Sequence, residues 1–308
     1  MKAVRYHSHG GSDVLAVEDV ERPAAGAGQV VVRVAGTAFN PLDVPVRMGI
    51  MGEVFPVALP HIPNFDVSGV VAEVGDGAGG WAVGDAVVAF LPVTAPGAAA
   101  EYVAVPADVL AAAPRTVETA DAAALPSSGL TAWQALFEHA GLEAGRSVLV
   151  NGAGGAVGGY VVQLAVRAGA RVTATASARS EARVRAHGAE RVIDYTATPL
   201  PDAVDGERFD VVLNLVRNEP EDVARLLDLV ADGGIFVSTT TPAPDGTGVR
   251  TAQVFARSDA AQLAGLVARV DAGELTIDVG ERRPLADLAA VHDAAVAGRL
   301  PGKVVLVP

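Results

Sequence analysis

Two hydrophobic rhythms divide this chain near residue 120. Before that point, short valine-rich runs at 30–34, 69–74, 86–90 and 101–105 are separated by glycine and proline clusters at 23–28 and 75–80. Brief apolar runs between turn formers predict the strands of a small irregular barrel or sandwich. Beyond about residue 121, helical and strand spacing alternate. The pattern predicts helices at 132–139, 180–187 and 221–230, and strands at 147–151, 171–175, 191–194, 209–214 and 235–239. Unbroken apolar stretches such as Val211-Val212-Leu213 suit strands covered on both faces, which predicts a doubly wound parallel sheet. Helices follow at 258–272, with Ser258 as N-cap, and at 284–297, with Pro284 in its first turn and Gly298 at its end. A last strand at 303–307 is expected to return to the first domain. The fold class is α/β, with a β-rich domain at 1–122, completed by about 274–308, and a parallel-sheet domain at 123–273.

The stretch 147–166, SVLVNGAGGAVGGYVVQLAV, carries the most information. A buried strand runs into Gly152-Ala153-Gly154-Gly155-Ala156-Val157-Gly158-Gly159, and an apolar helix continues from Tyr160. A turn without side chains lets a diphosphate approach the backbone, and the following helix start offers unpaired N–H groups and a positive dipole end. Tight helix–sheet packing also selects glycine, so the turn alone leaves both readings open. The same stretch lacks charge, but its glycines, Asn151 and Gln163 make it a poor membrane span.

Composition removes several function classes. The chain has 308 residues, half of them hydrophobic, and a net charge of −13. Its only lysines are Lys2 and Lys303, and its arginines are scattered, so nucleic acid is not an expected partner. Cysteine is absent, which excludes disulfides, thiolate catalysis and cysteine-ligated zinc. The start, MKAVRYHSHGG, has no apolar signal core, and a cytoplasmic location is the expectation. None of the six histidines shows paired metal-ligand spacing with another histidine and a carboxylate, so no metal site is expected.

Several segments in one order resemble the medium-chain dehydrogenase/reductase superfamily, in its zinc-free quinone oxidoreductase branch. They are Tyr6-His7-Ser8-His9-Gly10-Gly11, Asn40-Pro41-Leu42-Asp43, the run 59–71 containing Asn64-Phe65-Asp66, Val83-Gly84-Asp85, Ala100-Glu101-Tyr102-Val103, the run 124–133, the glycine turn, and Gly302-Lys303-Val304-Val305. The resemblance implies a GroES-like catalytic domain followed by a Rossmann domain, with a C-terminal return. Zinc-dependent members carry a cysteine ligand where this chain has Asn40, and a histidine ligand where it has Phe65. A phenyl ring has no lone pair to give zinc. The resemblance therefore implies hydride transfer to a substrate that accepts it without a Lewis acid: a quinone, or a C=C bond conjugated to a carbonyl.

An NAD-specific Rossmann fold carries an acidic residue about 20 positions beyond its glycine turn. Residues 144–180 contain no aspartate or glutamate. Ser177 and Arg179 stand there instead, and a guanidinium pairs with a 2′-phosphate. NADPH is therefore the expected cofactor, with Arg179 and Arg183 as simple helix-start solubilisers in the bland alternative. The resemblance adds Tyr195 to the 2′-phosphate contacts. It sets Asn40 and Thr131 as the catalytic pair beside the nicotinamide, where Asn218, Ser238, Thr239, Thr240 and Lys303 also contribute cofactor contacts. Gly152, Gly154, Gly155, Ala156 and Val157 are the expected diphosphate cradle. Asn40 also reads as a turn residue before Pro41, Thr131 as a helix cap, and Lys303 as a solvated strand end. Met48, Ile50, Met51 and Phe55 are expected to form an apolar substrate wall. Pro45 and Met51 occupy positions where relatives place a tyrosine, which leaves the proton donor open between water and Tyr102.

The expected ligand is thus a small hydrophobic carbonyl or quinone. Two alternatives stand beside it: an enoyl-thioester or natural-product tailoring reductase, and an NADPH-binding protein without turnover. A homodimer through the Rossmann sheet edge, at 235–239, follows from the resemblance.

Overall fold

The computed structural model describes residues 1–204 and 206–308. The chain separates into two units, Met1–Ser127 with Ser258–Pro308, and Ser128–Arg257. The first unit opens with β1 (Lys2–Arg5), β2 (Ala16–Asp19), β3 (Gln29–Ala38), α1 (Asp43–Arg47), β4 (Asp66–Val74), β5 (Ala86–Phe90), β6 (Tyr102–Pro106) and β7 (Leu110–Ala112). Helix α2 (Pro126–Trp133) begins in it and carries the chain into the second unit. There follow β8 (Ser147–Asn151), α3 (Ala156–Arg167), β9 (Arg171–Ala176), α4 (Ala178–Ala186), β10 (Arg191–Asp194), α5 (Leu200–Ala203), β11 (Phe209–Asn214), α6 (Pro220–Leu227), β12 (Val230–Ser238) and β13 (Arg250–Gln253). The first unit closes with α7 (Ala260–Asp271), β14 (Glu281–Pro284), α8 (Leu288–Val296) and β15 (Val304–Val307).

In the first unit the main sheet runs β14-β15-β3-β4-β5-β7, with β6 also paired to β3, while β1 and β2 form a separate antiparallel pair. Strand β3 is the hub. It pairs antiparallel with β4, β6 and β15, and its Val30, Val31 and Val32 are fully buried. Phe39, just past β3, packs with Leu288, Val291, Val304 and Leu306, so the returning segment completes one hydrophobic cluster with the N-terminal half. This is the physical reason that the chain's last strand returns to the first unit.

The second unit is a six-stranded sheet in the order β10-β9-β8-β11-β12-β13, parallel throughout. Consecutive β8, β9 and β10 run to one side, and β11, β12 and β13 to the other. The order reverses between β8 and β11, which is the switch point where doubly wound sheets receive ligands. The apolar stretch Val211-Val212-Leu213 is buried, as strands with both faces covered require.

Local departures from the sequence pattern have identifiable causes. The predicted helix at 132–139 starts earlier, as α2, and continues through a π-helical turn at Gln134–His139. The helix predicted to 230 ends at Leu227, because Val230 pairs with Phe209 and starts β12. Ser258 does not cap α7. Its hydroxyl donates to the carbonyl of Phe90, and Asp259 caps instead, accepting from Gln262 N at 3.0 Å. Pro284 ends β14 and caps a 3₁₀ turn, Leu285–Asp287, that leads directly into α8 at Leu288. The 235–239 segment is not a sheet edge, since β12 is covered by β13. Among the described residues, no helix is long and apolar enough to cross a membrane.

Candidate active site

The first unit gathers buried polar groups around Asp66, the first residue of β4. Asp66 and Lys303 are 0% and 5% exposed, and the Lys303 ammonium lies 3.0 Å from Asp66 Oδ2. Ser127, in the first turn of α2, donates its backbone N–H to Asp66 Oδ1 at 2.7 Å and its hydroxyl to Oδ2 at 2.6 Å. The carboxylate thus takes three donors, two of them at a helix start where negative charge is favoured. Asn40 stands in front of this cluster and is only partly buried. Its Nδ2 donates to Ser127 Oγ at 3.3 Å, and its Oδ1 accepts from Leu42 N at 3.1 Å.

Asp43 holds the main chain beneath. It accepts Asn40 N at 2.8 Å and Asn64 N at 3.3 Å. Burial pushes its carboxyl up to about 7 despite those N–H groups and the nearby Lys303. Tyr6, Asp43, His61 and Asn64 line a small pocket. Tyr6 Oη and both amide atoms of Asn64 are buried there without a protein partner. Burial pushes the His61 imidazole down to about 4. Phe65, buried between Asn64 and Asp66, packs against Phe90 with ring centroids 5.4 Å apart.

In the second unit the carboxyl ends of four parallel strands are joined by a neutral seam. Gly152 N donates to Thr175 Oγ1 at 2.9 Å, and Thr175 donates to Asn151 Oδ1 at 3.1 Å. Asn151 Nδ2 donates to Asn214 Oδ1 at 3.0 Å, and Asn214 Nδ2 reaches Val216 O at 3.0 Å and Ser238 Oγ at 3.5 Å. Two loops are stapled beyond it: Thr240 Oγ1 donates to Val216 O, and Thr241 Oγ1 receives Asn218 N and donates to Asn218 O. The seam fixes the turn that follows β8.

The glycines of that turn differ in what demands them. Gly152 has φ +100°, a left-handed conformation that side chains resist. A Cβ on Gly158 would collide with the Gly152 carbonyl and lie 2.5 Å from Ala153 Cα, so this glycine serves packing. Gly155, the residue before α3, is different. A Cβ there would meet only the Gly152 carbonyl at an ordinary 3.5 Å, and it supplies no side-chain cap. The start of α3, at Ala156 and Val157, is therefore open and rich in backbone donors.

The structure brings many of the sequence-predicted residues together within their own units. Gly152, Gly154, Gly155, Ala156 and Val157 form the strand–turn–helix, and Arg183 donates to Gly154 O at 2.7 Å. Ser177 is the N-cap residue of α4, and Arg179 is exposed two positions on, with no hydrogen bond or ion pair among the described residues. Tyr195, just past β10, is 55% exposed. Ser238, Thr239 and Thr240 end β12 beside the seam. Asn218 has a buried Oδ1 without a donor. Thr131 lies half-buried in α2. Met48 and Ile50 are exposed, and Met51 and Phe55 half-exposed, in the segment after α1. Lys303 is neither solvated nor open to a ligand: its side chain is 3% exposed and committed to Asp66. Tyr102 lies under the Arg22 guanidinium, 4.3 Å from its ring centroid.

Sequence reading missed the roles of Asp66, Ser127, Asn151, Thr175 and Asn214. The available signal was that β8, β11 and β12 each end in a polar residue, and that β9 carries a threonine next to its end.

Residues 26–115 match the family model described as Alcohol dehydrogenase GroES-like domain, and residues 187–306 that described as Zinc-binding dehydrogenase. The chloroplast envelope quinone oxidoreductase homolog of Arabidopsis thaliana is 32% identical over all of this chain and 98% of its own length. The chain belongs to the medium-chain dehydrogenase/reductase superfamily. The NADPH-dependent alkenal/one oxidoreductase, chloroplastic, of Arabidopsis thaliana is 36% identical across 78% of this chain and 62% of its own. A crystal structure described as an NAD-dependent alcohol dehydrogenase superposes with a TM-score of 0.89 at 30% identity, covering the whole of both chains. This member is an oxidoreductase with a GroES-like unit and a Rossmann-type unit, and its superfamily binds a pyridine nucleotide. The second unit fits such a group. Gly155 leaves its backbone approachable, α3 presents donors, and the buried Asn218 Oδ1 is an acceptor without a donor. No group of His, Cys, Asp or Glu able to hold a metal occurs among the described residues.

Proposed function

We propose that this protein reduces quinones, or the C=C bond of α,β-unsaturated carbonyl compounds, at the expense of NADPH. The observation that carries the reading is the Asn40 cluster: a partly exposed amide held by Ser127 and backed by the buried Asp66–Lys303 pair, where the resemblance implies metal ligands in zinc-dependent relatives. Bound NADPH supplies a hydride. The residues of this chain supply the rest.

Gly152, Gly154, Gly155, Ala156 and Val157 hold the diphosphate through backbone N–H groups and the dipole of α3. Ser177, Arg179 and Tyr195 receive the 2′-phosphate. Arg179 supports that choice because it is exposed and has no ion-pair partner among the described residues, and no carboxylate between residues 144 and 180 would repel the phosphate. Asn218, Ser238, Thr239, Thr240 and Thr131 serve the nicotinamide half. Asn40 donates to the substrate carbonyl oxygen as it gains negative charge. Met48, Ile50, Met51 and Phe55 form the apolar wall. Water is the proton source in this reading, with Tyr102, whose ring stacks against the Arg22 guanidinium, as the alternative.

The test is cofactor consumption with a panel of quinones and enones. Turnover with both or either class is expected, and silence with every acceptor removes the reading. Arg179→Ala is expected to raise KM for NADPH about tenfold while leaving that for NADH within about twofold. Equal effects on the two nucleotides remove the 2′-phosphate assignment.

A further inference from the structure

The side chain of Asn40 is an amide, and an amide has two different ends. Which end it offers a ligand depends on what holds the other contacts. Leu42 N–H occupies Oδ1, and Ser127 Oγ lies 3.3 Å from Nδ2. Ser127 has a single hydroxyl proton. A carboxylate only accepts, so that proton is committed to Asp66 Oδ2 at 2.6 Å. The hydroxyl oxygen can therefore only accept from Asn40. Turning the amide over would set its carbonyl against the hydroxyl lone pairs and its NH2 against the N–H of Leu42. Asp66 in turn is held by Ser127 N and by the buried ammonium of Lys303.

Resting on the reading of Asn40 given above, we infer that Ser127, Asp66 and Lys303 form a positioning relay that locks the Asn40 amide with an N–H donor free for the substrate. The reaction site then accepts a carbonyl or quinone oxygen at this point and disfavours a hydroxyl donor. Ser127, Asp66 and Lys303 touch no substrate; they act through Asn40. The relay also accounts for a buried ion pair where an apolar pair of similar volume would be at least as stable. The pair costs nothing in net charge and keeps Ser127 from donating to Asn40. Three of the four members are buried, and only Asn40 is partly open to solvent.

A double-mutant cycle on Asn40→Ala and Ser127→Ala tests the relay. Ser127→Ala is expected to lower kcat about tenfold, less than the ~100-fold of deleting a donor outright, with KM for NADPH within about twofold. In the Asn40→Ala background, Ser127→Ala is expected to change kcat by less than about twofold, since its route is gone. Multiplying losses in the double variant, or a wild-type kcat in Ser127→Ala, overturn the relay. A second measurement does not depend on turnover. The asparagines are Asn40, Asn64, Asn151, Asn214 and Asn218, so asparagine-selective ¹⁵N labelling gives a short list of side-chain amide signals. The Asn40 amide hydrogens are expected to exchange slowly in the wild type and faster in Ser127→Ala. Unchanged exchange overturns the relay even in a protein that reduces no acceptor, whereas absent turnover with changed exchange overturns only the proposed reaction.

Discussion

The two units solve one problem, holding polar groups still, with different materials. The first unit uses a buried charge pair, Lys303 and Asp66, with Ser127 and Asn40 attached. The second uses a neutral chain from Thr175 through Asn151 and Asn214 to Ser238. A neutral seam has one strand-end group per link and fails one bond at a time. A charge cluster is all or nothing, because losing either partner leaves the other ionised in a dry place. In the proposed function, the neutral seam suits a cradle whose anionic ligand brings its own charge. The charged cluster suits a single amide whose direction must not vary.

The largest contrast is expected from deleting the centre of each network. Asp66→Ala leaves the Lys303 ammonium buried and unpaired, and should cost about 3–5 kcal/mol. Asn214→Ala, which removes a neutral link, should cost about 1–3 kcal/mol. Denaturant unfolding reads both, and equal losses would break the distinction. Next comes the glycine turn. Gly158→Ala forces a methyl into backbone and should cost about 1–3 kcal/mol. Gly155→Ala should unfold at the wild-type temperature yet bind nucleotide about tenfold more weakly. Thermal unfolding with a nucleotide titration separates the two, and wild-type binding in Gly155→Ala would show that packing alone selected these glycines.

The smallest effect concerns acid. The seam contains nothing that titrates, whereas the first unit buries His292, whose imidazole is pushed down to about 3 by burial and then by Arg47. Its folded state requires the neutral ring, so the stability tied to it is complete above about pH 6.5 and is lost as pH falls toward 3. Asp43 works the other way: its carboxyl is raised to about 7, so its share is complete below the ordinary carboxylate range and fades as pH rises through 7. Both ring nitrogens of His292 lack partners, and the ring packs edge-on against Phe39 with centroids 5.0 Å apart. His292→Phe should therefore stabilise by about 1 kcal/mol at neutral pH and flatten the acid limb. An unchanged melting profile from neutral pH to pH 5 would count against it.

What could be read from residues alone follows from the range of the forces involved. The strands at 191–194 and 209–214 were legible because period and turn residues act locally. The start of α2 was not, because Ser127, Ser128 and Gly129 are poor helix formers and the group that caps the helix, Asp66, lies far away in the sequence. Asn40 and Phe65 drew notice through the resemblance, as residues where zinc-dependent members are expected to carry ligands. The part Asp66 plays was not legible, since its counter-ion arrives from the other end of the chain. Lys303 read as a cofactor contact or a solvated strand end, and the pairing of β15 with β3 buries it against Asp66 instead.

That pairing sets an order of events during synthesis. Every strand of the parallel sheet is complete by Gln253, but Asp66 waits for the ammonium of Lys303, fifty residues further on. Until then the nascent first unit holds an anion it cannot seal away, and the hub strand β3 lacks one neighbour. A chain stalled between Gln253 and Lys303 would thus hold every strand of the parallel sheet while Asp66 still lacks its counter-ion.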